Sequence, residues 1–563
     1  MKRKSLFVSV ALLCLAAIVS VPGAYAAGSE TSNRTICPRY PAGSSLVEPK
    51  DLFSSHGILQ VSFTYETRVD QYGNVLYCFM SEDGSQSPTL HVRPGDELLV
   101  KLKNALPPST TPSYQKHAMA GMSTLPEFSI SGQSHEASPN CGGMVMTDTS
   151  TNLHYHGTNT PPICHQDEVI KTLINAGETF QYDVHFPLDE PPGLYWYHPH
   201  VHGISEAAVQ GGASGAIIVE GIENINHDVA ALPERTLIVR DNLVPGAPNA
   251  DDVPAWDLSL NYIPVVYPEY QPAVIPAKPM QKQFWRVVNA AADTILDLQV
   301  QYDGVAQDLE IVAIDGVPTG SQDGRSGGRT LSRKHFLLAP AARVEFILRA
   351  PPKSVKNATL LTLNVDTGPD GDNDPQRPLA AIKVSDAAKN PSLAVGAVSA
   401  PPPLHMRFQG LSEAKPVKQR KLYFSEVLTD PTDPNSPTNF FITVDGATPT
   451  LFDPDNPPAI ITTQGSVEDW TIENRALENH EFHIHQIHFL VLERDGKPVE
   501  GEYRDMINVP FWSGSGSYPS VKLRMDFRGP DIGDFVYHCH ILGHEDSGMM
   551  AIIRVLPQGR PTQ

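Results

Sequence analysis

Ten of the chain's 21 histidines fall in four short motifs, two in the first half of the sequence and two near its end. The motifs are His154-Tyr155-His156-Gly157, His198-Pro199-His200, His480-Glu481-Phe482-His483-Ile484-His485, and His538-Cys539-His540 followed by His544 and Met549. A single His-x-His pair is a weak signal, but four symmetrically placed pairs are hard to obtain by chance. Imidazole, thiolate and thioether groups are good copper ligands, so the motifs predict a copper protein.

The spacing within the motifs is explained by β-strand geometry. Side chains alternate between the two faces of a strand, so residues two apart point the same way and each His-x-His presents two imidazoles together. In the last motif, His538 and His540 then face one side and Cys539 faces the other. This predicts two metal centres back to back, joined by a few covalent bonds, as electron transfer between them requires.

The ligand types specify one of these centres. A cysteine thiolate, two histidines and a weak methionine form a blue-copper electron-transfer site. Cys539, His544 and Met549 lie at spacings of five and five, and His480 is the best candidate for a remote second histidine. The other eight histidines are too many for one four-coordinate ion, so they predict a multinuclear site, and zinc enzymes generally need fewer ligands.

The elements that carry these motifs are predicted to be short strands. Alternating or β-branched runs separated by Gly, Pro, Asn and Asp turns predict an all-β protein; examples are 98–102, 216–219, 346–348 and 551–555. Two pairs of segments are similar to each other: 95–104 to 465–474, and 193–200 to 533–540. The first and last thirds are thus predicted to be copies of one β unit. The middle third has similar strands, such as 283–289, without histidine pairs.

Bulk composition limits the class of protein. A length of 563 residues predicts about two to four domains, and 51 Pro with 41 Gly suit an all-β chain rich in turns. The formal net charge of −21 argues against a nucleic-acid partner, because phosphate binding requires clustered Lys and Arg. Residues 391–403, rich in Ala and Pro, are predicted to be the second linker between domains, and the first boundary is predicted near 221–232.

The N-terminus is predicted to be a signal peptide, cleaved after Ala26. A basic segment at 2–4 precedes an apolar run at 6–21 and the small-x-small pattern Ala24-Tyr25-Ala26. Four cysteines fit two disulfides in an oxidising compartment, with three possible pairings: Cys37, Cys78, Cys141 and Cys164. No other stretch could cross a bilayer, so we expect a periplasmic or secreted protein without stable membrane insertion.

The four motifs, in their order and spacing, resemble those of the multicopper oxidases, the family of laccases, bilirubin oxidases and bacterial copper-efflux oxidases. The resemblance covers essentially the whole mature chain. It implies three consecutive cupredoxin-like Greek-key β-sandwich domains, at 45–225, 230–390 and 404–558, after a signal peptide at 1–26. The copper cluster would lie between the first and third domains, in agreement with the internal repeat.

The resemblance also implies four copper ions and their ligands. The type 1 ion would be held by His480, Cys539, His544 and axial Met549. The type 2 ion would be held by His154 and His483, and the type 3 pair by His156, His198, His200, His485, His538 and His540. Two acids are implied as catalytic: Glu545 in the proton path, and Asp167 near the type 2 ion, at a slightly longer spacing than in the family. The nearby His165, His185, His202 and His488 are interpreted as structural.

The function implied is that of a laccase-like oxidase. It would couple one-electron oxidation of phenols or aromatic amines to four-electron reduction of dioxygen to water, as a monomer. Two alternatives stay open: a cuprous-ion oxidase for copper tolerance, and a non-catalytic envelope protein of cupredoxin fold, although such proteins lose the copper ligands that are all present here. The insertion at 107–151 contains His117, Met119, Met122, His135, Met144 and Met146; we interpret these residues as packing rather than as Cu(I) ligands.

Overall fold

The computed structural model describes residues 35–559, except 72, 110–139, 244–252, 322–326, 392, 397–405, 434–435 and 500. The predicted signal peptide, most of the insertion at 107–151 and most of the linker at 391–403 therefore lie outside the described residues. Among the described residues, no helix has the length and apolar character needed to span a membrane.

Nearly all of the regular structure is β-strand, as predicted. The first group of elements is β1 Asp51–Phe53, β2 Ile58–Val69, β3 Val75–Ser81, β4 Thr89–Val92, β5 Glu97–Asn104, β6 His154–His156, β7 Thr179–His185, β8 Gly193–His198, α1 Ser205–Gln210 and β9 Gly215–Val219. The strands form two sheets, ordered β3-β2-β5-β7 and β1-β4-β9-β8-β6. We call this pair of sheets the first sandwich.

The middle sandwich has a larger pair of sheets. Its strands are β10 Pro233–Leu243, β11 Trp256–Leu260, β12 Ile263–Val265, β13 Ala273–Ala277, β14 Lys282–Asn289, β15 Leu296–Tyr302, β16 Val305–Ala306, β17 Leu309–Ile314, β18 Val317–Pro318, β19 Leu331–Arg333, β20 Phe336–Leu338, β21 Arg343–Arg349, β22 Ala358–Leu363, β23 Arg377–Val384 and β24 Leu393–Ala394. The main paths through the sheets are β12-β11-β10-β14-β21-β17-β18 and β13-β23-β22-β15-β16.

The third sandwich completes the chain. Its elements are β25 Lys418–Leu428, β26 Thr438–Val444, β27 Ile460–Thr463, β28 Val467–Asn474, β29 His480–Ile484, β30 Phe489–Arg494, β31 Lys497–Pro498, β32 Tyr503–Arg504, β33 Met506–Val509, β34 Ser520–Asp526, β35 Gly533–Cys539, α2 Leu542–Asp546 and β36 Met550–Leu556. The sheets are ordered β26-β25-β28-β34-β30-β31 and β27-β36-β35-β29-β33. Short 3-10 turns lie at Ile222–Asn224, His227–Val229 and Leu411–Glu413.

The three sandwiches repeat one pattern of strand pairing. A parallel pair lies inside one sheet of each: β2 with β5, β10 with β14, and β25 with β28. The other sheet of each sandwich contains an antiparallel pair: β8 with β9, β22 with β23, and β35 with β36. The first strand of each pair has a second antiparallel neighbour on its other side, which is β6, β15 and β29, respectively. The predicted repeat of the first and last thirds therefore extends to the middle third.

A buried asparagine marks the same point of each repeat. Asn104, Asn289 and Asn474 end β5, β14 and β28, and each side-chain amide donates to two backbone carbonyls of segments later in the chain. Each side-chain oxygen also accepts a backbone N–H two residues ahead. Since a buried amide must satisfy all these groups, the asparagine fixes how the chain leaves the strand.

Each sandwich has an apolar core between its sheets, because alternate residues along the strands point inward. Strands β8 and β9 serve two cores at once: Tyr195 and Tyr197 pack in the first core, whereas Leu194 and Trp196 pack in the middle one. Two disulfides, Cys37–Cys78 and Cys141–Cys164, resolve the pairing that the sequence left open. Cys539 is free and buried.

Candidate metal centres

Eight histidines lie at the strand ends where the first and third sandwiches meet. His154 is opposite His198 across β6 and β8, and His483 is opposite His538 across β29 and β35. All eight are at most 2% exposed: His154, His156, His198, His200, His483, His485, His538 and His540. The predicted cluster residues are thus brought together, although more than 280 positions separate His200 from His483.

Imidazoles of the two sandwiches interleave. The ring of His154 stacks on that of His485 with centroids 3.9 Å apart, and His156 stacks on His483 at 4.0 Å. The Nε2 atom of His538 lies 3.2 Å from that of His485 and 3.4 Å from that of His200. Several triads bring their ligand atoms within 4.8 Å of one another, which is close enough to share a metal ion.

One ring nitrogen of several histidines is anchored by a neighbour. The Nδ1 atom of His154 contacts Asp167 Oδ1 at 2.9 Å, and His483 Nδ1 contacts the backbone oxygen of Asp505 at 2.8 Å. His198 Nδ1 contacts Pro199 O at 2.8 Å. Such anchoring fixes the tautomer and directs the opposite nitrogen toward a metal.

The opposite nitrogens fit a metal site. Among the described residues, these buried ring nitrogens have no hydrogen-bond partner: Nε2 of His154, His198 and His483, Nδ1 of His485, and both nitrogens of His156 and His540. Buried polar atoms without partners are rare and costly. A set of them converging from two sandwiches is therefore explained by ligation of metal ions.

The protonation states of these histidines are also those expected of metal ligands. Burial, followed by the neighbouring imidazoles, lowers the pKa of His154 and His485 well below the usual histidine value. Burial and His200 likewise lower the pKa of His198, to about 3. These rings are neutral at physiological pH, so their lone pairs are available to a cation.

The second centre lies around Cys539. Its Sγ atom is 3.6 Å from His480 Nδ1 and 3.8 Å from His544 Nδ1, and the two nitrogens are 3.1 Å apart. Met549 is fully buried in the same core cluster, and its backbone oxygen accepts the Cys539 N–H at 3.1 Å. Burial raises the pKa of the Cys539 thiol, but the nitrogens of His480 and His544 outweigh this and lower it to about 7, which favours the metal-binding thiolate.

The two ligand histidines of this centre differ in access. His480 is fully buried, whereas His544 is 9% exposed and its ring stacks on Phe440 with centroids 4.3 Å apart. The outer nitrogens of both rings face carboxylates: His480 Nε2 lies 2.9 Å from Glu426, and His544 Nε2 lies 3.5 Å from Glu478. An electron donor can therefore approach the edge of His544 beside an acidic group.

The two centres are joined through β35, as strand alternation predicts. Cys539 belongs to the core of the third sandwich, whereas His538 and His540 on either side of it lie in the histidine cluster. His538 Nδ1 also contacts the Cys539 carbonyl oxygen at 2.8 Å. Residue 481 adds a second link, because its N–H donates to Cys539 Sγ at 3.4 Å and its oxygen accepts the His540 N–H at 2.8 Å.

Both predicted acids lie beside the cluster. Glu545 is buried, with Oε2 3.0 Å from His538 Nδ1 and Oε1 3.7 Å from His200 Nε2. Burial would raise its pKa, but His200 and His538 lower it to about 2. Asp167 accepts from the Tyr155 N–H at 3.0 Å and from Gln486 Nε2 at 2.7 Å, in addition to holding His154; burial raises its pKa.

The other nearby histidines lie outside both centres. His165 stacks on Phe180 at 4.7 Å, and His185 is paired with Asp183 at 3.2 Å on the surface. His488 is buried and its Nε2 contacts Asp315 O at 2.9 Å. His202 and the described methionines of the insertion, Met144 and Met146, line a cavity of about 510 Å³ that reaches His200.

Residues outside the motifs also contact the candidate ligands, and the motif pattern does not predict them. Glu426 and Glu478 contact the ring nitrogens of the cysteine centre, and the backbone of Asp505 anchors His483. Glu478 lies two positions before His480, which is a weak signal. Asp505 and Glu426 carry no local signal, because only the folding of β25 and β33 brings them to the site.

Comparison with known proteins agrees with this geometry. Models of the family described as multicopper oxidase match residues 145–224 and 425–559, which together contain all four histidine motifs. A laccase of Bacillus subtilis (strain 168) is 24% identical over 512 residues, covering 82% of this chain and 87% of the relative. A multicopper oxidase of Staphylococcus aureus is 37% identical over 95 residues, 16% of this chain and 20% of that protein.

Solved structures share the fold. A multicopper oxidase of Campylobacter jejuni, described as a metallo-oxidase, aligns with a TM-score of 0.62 at 21% identity, covering 92% of this chain and 96% of the other. The McoA multicopper oxidase of Aquifex aeolicus aligns with a TM-score of 0.62 at 18% identity, covering 92% and 100%. Given the matched motifs and the clustered histidines, the segments 145–224 and 425–559 are multicopper oxidase domains, and the protein is an oxidoreductase that binds copper and uses dioxygen.

Proposed function

We propose that this protein is a laccase-like oxidase. It would oxidise a small donor one electron at a time at the Cys539 centre and reduce dioxygen to water at the histidine cluster. The observation that carries the proposal is the position of Cys539 between His538 and His540 on one strand, which joins a donor-accessible centre to a closed cluster. The path between them is short and largely covalent.

The residues would hold four copper ions in three types of site. His480, Cys539, His544 and Met549 would hold the type 1 ion, and His154 with His483 the type 2 ion. The type 3 pair would take His156, His198, His200, His485, His538 and His540. When bound, copper supplies the one-electron redox steps and the oxygen chemistry that side chains cannot perform.

The chain's own acids would supply protons, which reduction of dioxygen to water consumes. Glu545 bridges His538 and His200 at 3.0 and 3.7 Å, so it would relay protons at the cluster edge. Asp167 would hold His154 in position and orient water at the type 2 site, since its second oxygen is fixed by Gln486. The cavity that reaches His200 would admit dioxygen and release water.

The donor that we favour is a phenol or an aromatic amine. The edge of His544 is the accessible part of the cysteine centre, and Phe440 beside it offers an aromatic surface for stacking. A phenol also loses a proton when it is oxidised. Glu478, 3.5 Å from His544 Nε2, would accept that proton.

A second candidate donor is a metal ion, chiefly Cu(I). Two carboxylates, Glu426 and Glu478, flank the outer nitrogens of His480 and His544, and the net charge of −21 would attract cations. The Campylobacter jejuni structure described as a metallo-oxidase shares the fold. Carboxylates are harder ligands than Cu(I) prefers, so we place this donor second.

We further propose that the protein is an exported monomer, periplasmic or secreted, with domains at 45–225, 230–390 and 404–558. The strand groups at 51–219 and 418–556 fall inside the first and third ranges. The strands at 233–384 fall inside the second range, and only the short β24, at 393–394, lies just beyond it. Size-exclusion chromatography with light scattering, and N-terminal sequencing of the mature protein, would test these points.

Oxygen uptake by the copper-loaded protein tests the function directly. We expect rapid uptake with a methoxyphenol and little with stabilised Cu(I). Uptake with Cu(I) alone would favour the metal-ion donor, and uptake with neither, in protein confirmed to hold copper, would contradict the oxidase proposal.

Two variants separate the donor classes. Glu478→Gln removes the carboxylate at His544, whereas Glu493→Gln, at a partly exposed residue near Lys522, is the matched control. For a phenol donor, Glu478→Gln should lower kcat; for a cationic donor, it should chiefly raise KM. The control should change neither.

A further inference from the structure

The middle sandwich, which carries no histidine pair, reaches the copper cluster through one buried ion pair. Arg343 begins β21, and both of its terminal nitrogens contact Asp505, Nη1 to Oδ1 and Nη2 to Oδ2, each at 2.7 Å. Both residues are fully buried. This two-pronged geometry fixes the plane of the carboxylate as well as its position.

The arginine is itself held rigidly. Its Nε donates to Leu194 O at 3.1 Å and its Nη1 also donates to Ala341 O at 3.3 Å. The Arg343 backbone N–H donates to Asp315 Oδ1 at 2.8 Å. The guanidinium therefore joins β8 of the first sandwich, β21 of the middle sandwich and the segment of the third sandwich between β32 and β33.

Asp505 contacts the ligands of the cluster on two sides. Its backbone oxygen accepts from His483 Nδ1 at 2.8 Å, and its Oδ1 lies 3.8 Å from His156 Nε2. The ligand atoms of Asp505, His156 and His483 all lie within 4.8 Å of one another. The carboxylate is therefore near enough to compete for a metal ion held by the two histidines. Each carboxylate oxygen instead accepts a hydrogen bond from Arg343.

The main chain at Gly157 packs closely against the ion pair. Gly157 follows His156 with φ +85°, and a Cβ there would lie 2.3 Å from Arg343 Nη2 and 2.3 Å from Asp505 Oδ2. The glycine of the first histidine motif thus allows the strand that carries His156 to rest directly on the ion pair.

We propose that Arg343 is a positioning residue for the copper cluster, acting through Asp505 on His483 and His156. It holds Asp505 so that the backbone oxygen fixes the His483 ring while the carboxylate stays out of the ligand set. The inference rests on the proposed copper sites. It gives the middle sandwich a role in the chemistry, because the guanidinium comes from a strand that binds no metal.

Arg343→Lys tests the proposal, since lysine keeps the charge but cannot bond both carboxylate oxygens in one plane. We expect the type 2 copper signal in electron paramagnetic resonance to shift and type 2 copper to be retained about 10- to 100-fold more weakly. The visible absorption of the Cys539 centre should stay unchanged, because no contact links Arg343 to it among the described residues.

Arg286→Lys is the matched control. Arg286 is equally buried, on the adjacent strand β14, and is paired with Glu234 and Glu345 rather than with a residue that touches the cluster. The Arg286→Lys protein should have a lower free energy of unfolding and an unchanged type 2 signal. An unchanged type 2 signal and copper affinity in Arg343→Lys, or equal losses in both variants, would overturn the proposal.

Should Arg343→Lys not accumulate as folded protein, Asp505→Asn carries the same test from the other side of the pair. It removes one acceptor oxygen but keeps the backbone contact to His483, and the same shift of the type 2 signal is expected. A wild-type signal in this variant would overturn the proposal. Absence of any type 2 signal in the wild-type protein would instead contradict the proposed copper sites themselves.

Discussion

The outer sandwiches and the middle sandwich share one pattern of strand pairing but differ at one pair of facing positions. His483 lies nine positions after the marker Asn474, and Leu298 lies nine positions after Asn289. Opposite them are His538 in the third sandwich and Thr362 in the middle one. In the first sandwich the facing pair is His154 and His198.

This difference indicates that the sandwich fold does not depend on the histidines of the copper cluster. Leu298 is fully buried and belongs to the middle core, so an apolar residue at this position stabilises the fold. Histidines there contribute ligands at a cost in core packing. Function therefore lies in a few side chains at strand ends rather than in the sandwich itself.

The largest expected effect comes from removing the histidine at the position that Leu298 occupies in the middle sandwich. His483→Ala should abolish oxygen uptake and type 2 copper binding, because the alanine side chain offers no nitrogen to the metal. Copper content and oxygen uptake measure the result. Leu298→Ala, the equivalent change in the middle sandwich, should bind copper normally when folded but lose about 2–5 kcal/mol of unfolding free energy. Copper loss in that variant would contradict the comparison.

A difference between the first and third sandwiches concerns Glu545. It follows His540 by five positions, and Ser205 stands at the corresponding place after His200. Glu545→Gln should slow turnover with dioxygen about 100-fold, since a positioned carboxylate that relays protons is lost. Anaerobic reduction of the Cys539 centre by the donor is the internal control and should keep its rate. Normal turnover with dioxygen would end the proton-relay assignment.

A third difference is how the two proposed type 2 ligands are anchored. Asp167 holds His154 by a side chain, whereas the backbone of Asp505 holds His483. Asp167→Asn should weaken copper retention about 10- to 100-fold, measured as copper per protein after dialysis against a chelator. Asp531→Asn, at a buried carboxylate paired with Arg407, should retain copper as the wild type does. Equal retention in both variants would remove Asp167 from the site.

The smallest effect concerns the outer strands. In the first sandwich His91 on β4 contacts Glu220 at 2.7 Å and Asp51 at 3.0 Å, whereas the corresponding β27 of the third sandwich, 460–463, has no titratable residue. Burial disfavours the charged ring, but the bonds to Asp51 and Glu220 outweigh it and raise the pKa of His91 to about 9.

This ion pair should make stability depend on pH. The folded-state pKa lies above the unfolded value of about 6.5, so the stabilisation is complete below that pH and is lost as the pH rises through 9. Melting temperatures of the wild type and His91→Asn, measured from pH 6 to 10, should converge in that window. Parallel curves would show that the His91 proton contributes nothing.

Much of the site could be predicted from the sequence because its signals are local. Strand alternation predicts that Cys539 lies on the other face of the strand from His538 and His540, and the ligand types predict copper. The family resemblance also implied Asp167 and Glu545, which both contact cluster histidines. The domain limits stay a prediction.

The sequence by itself determined the all-β class, the repeat and the candidate ligand side chains, since each depends on patterns within a few residues of one strand. Only the tertiary structure decided which remote groups meet: His154 on His485, Arg343 with Asp505, and Glu426 with His480. It also decided the disulfide pairing. Such contacts depend on the register and packing of sheets, which many similar apolar residues fix together and no single local pattern encodes.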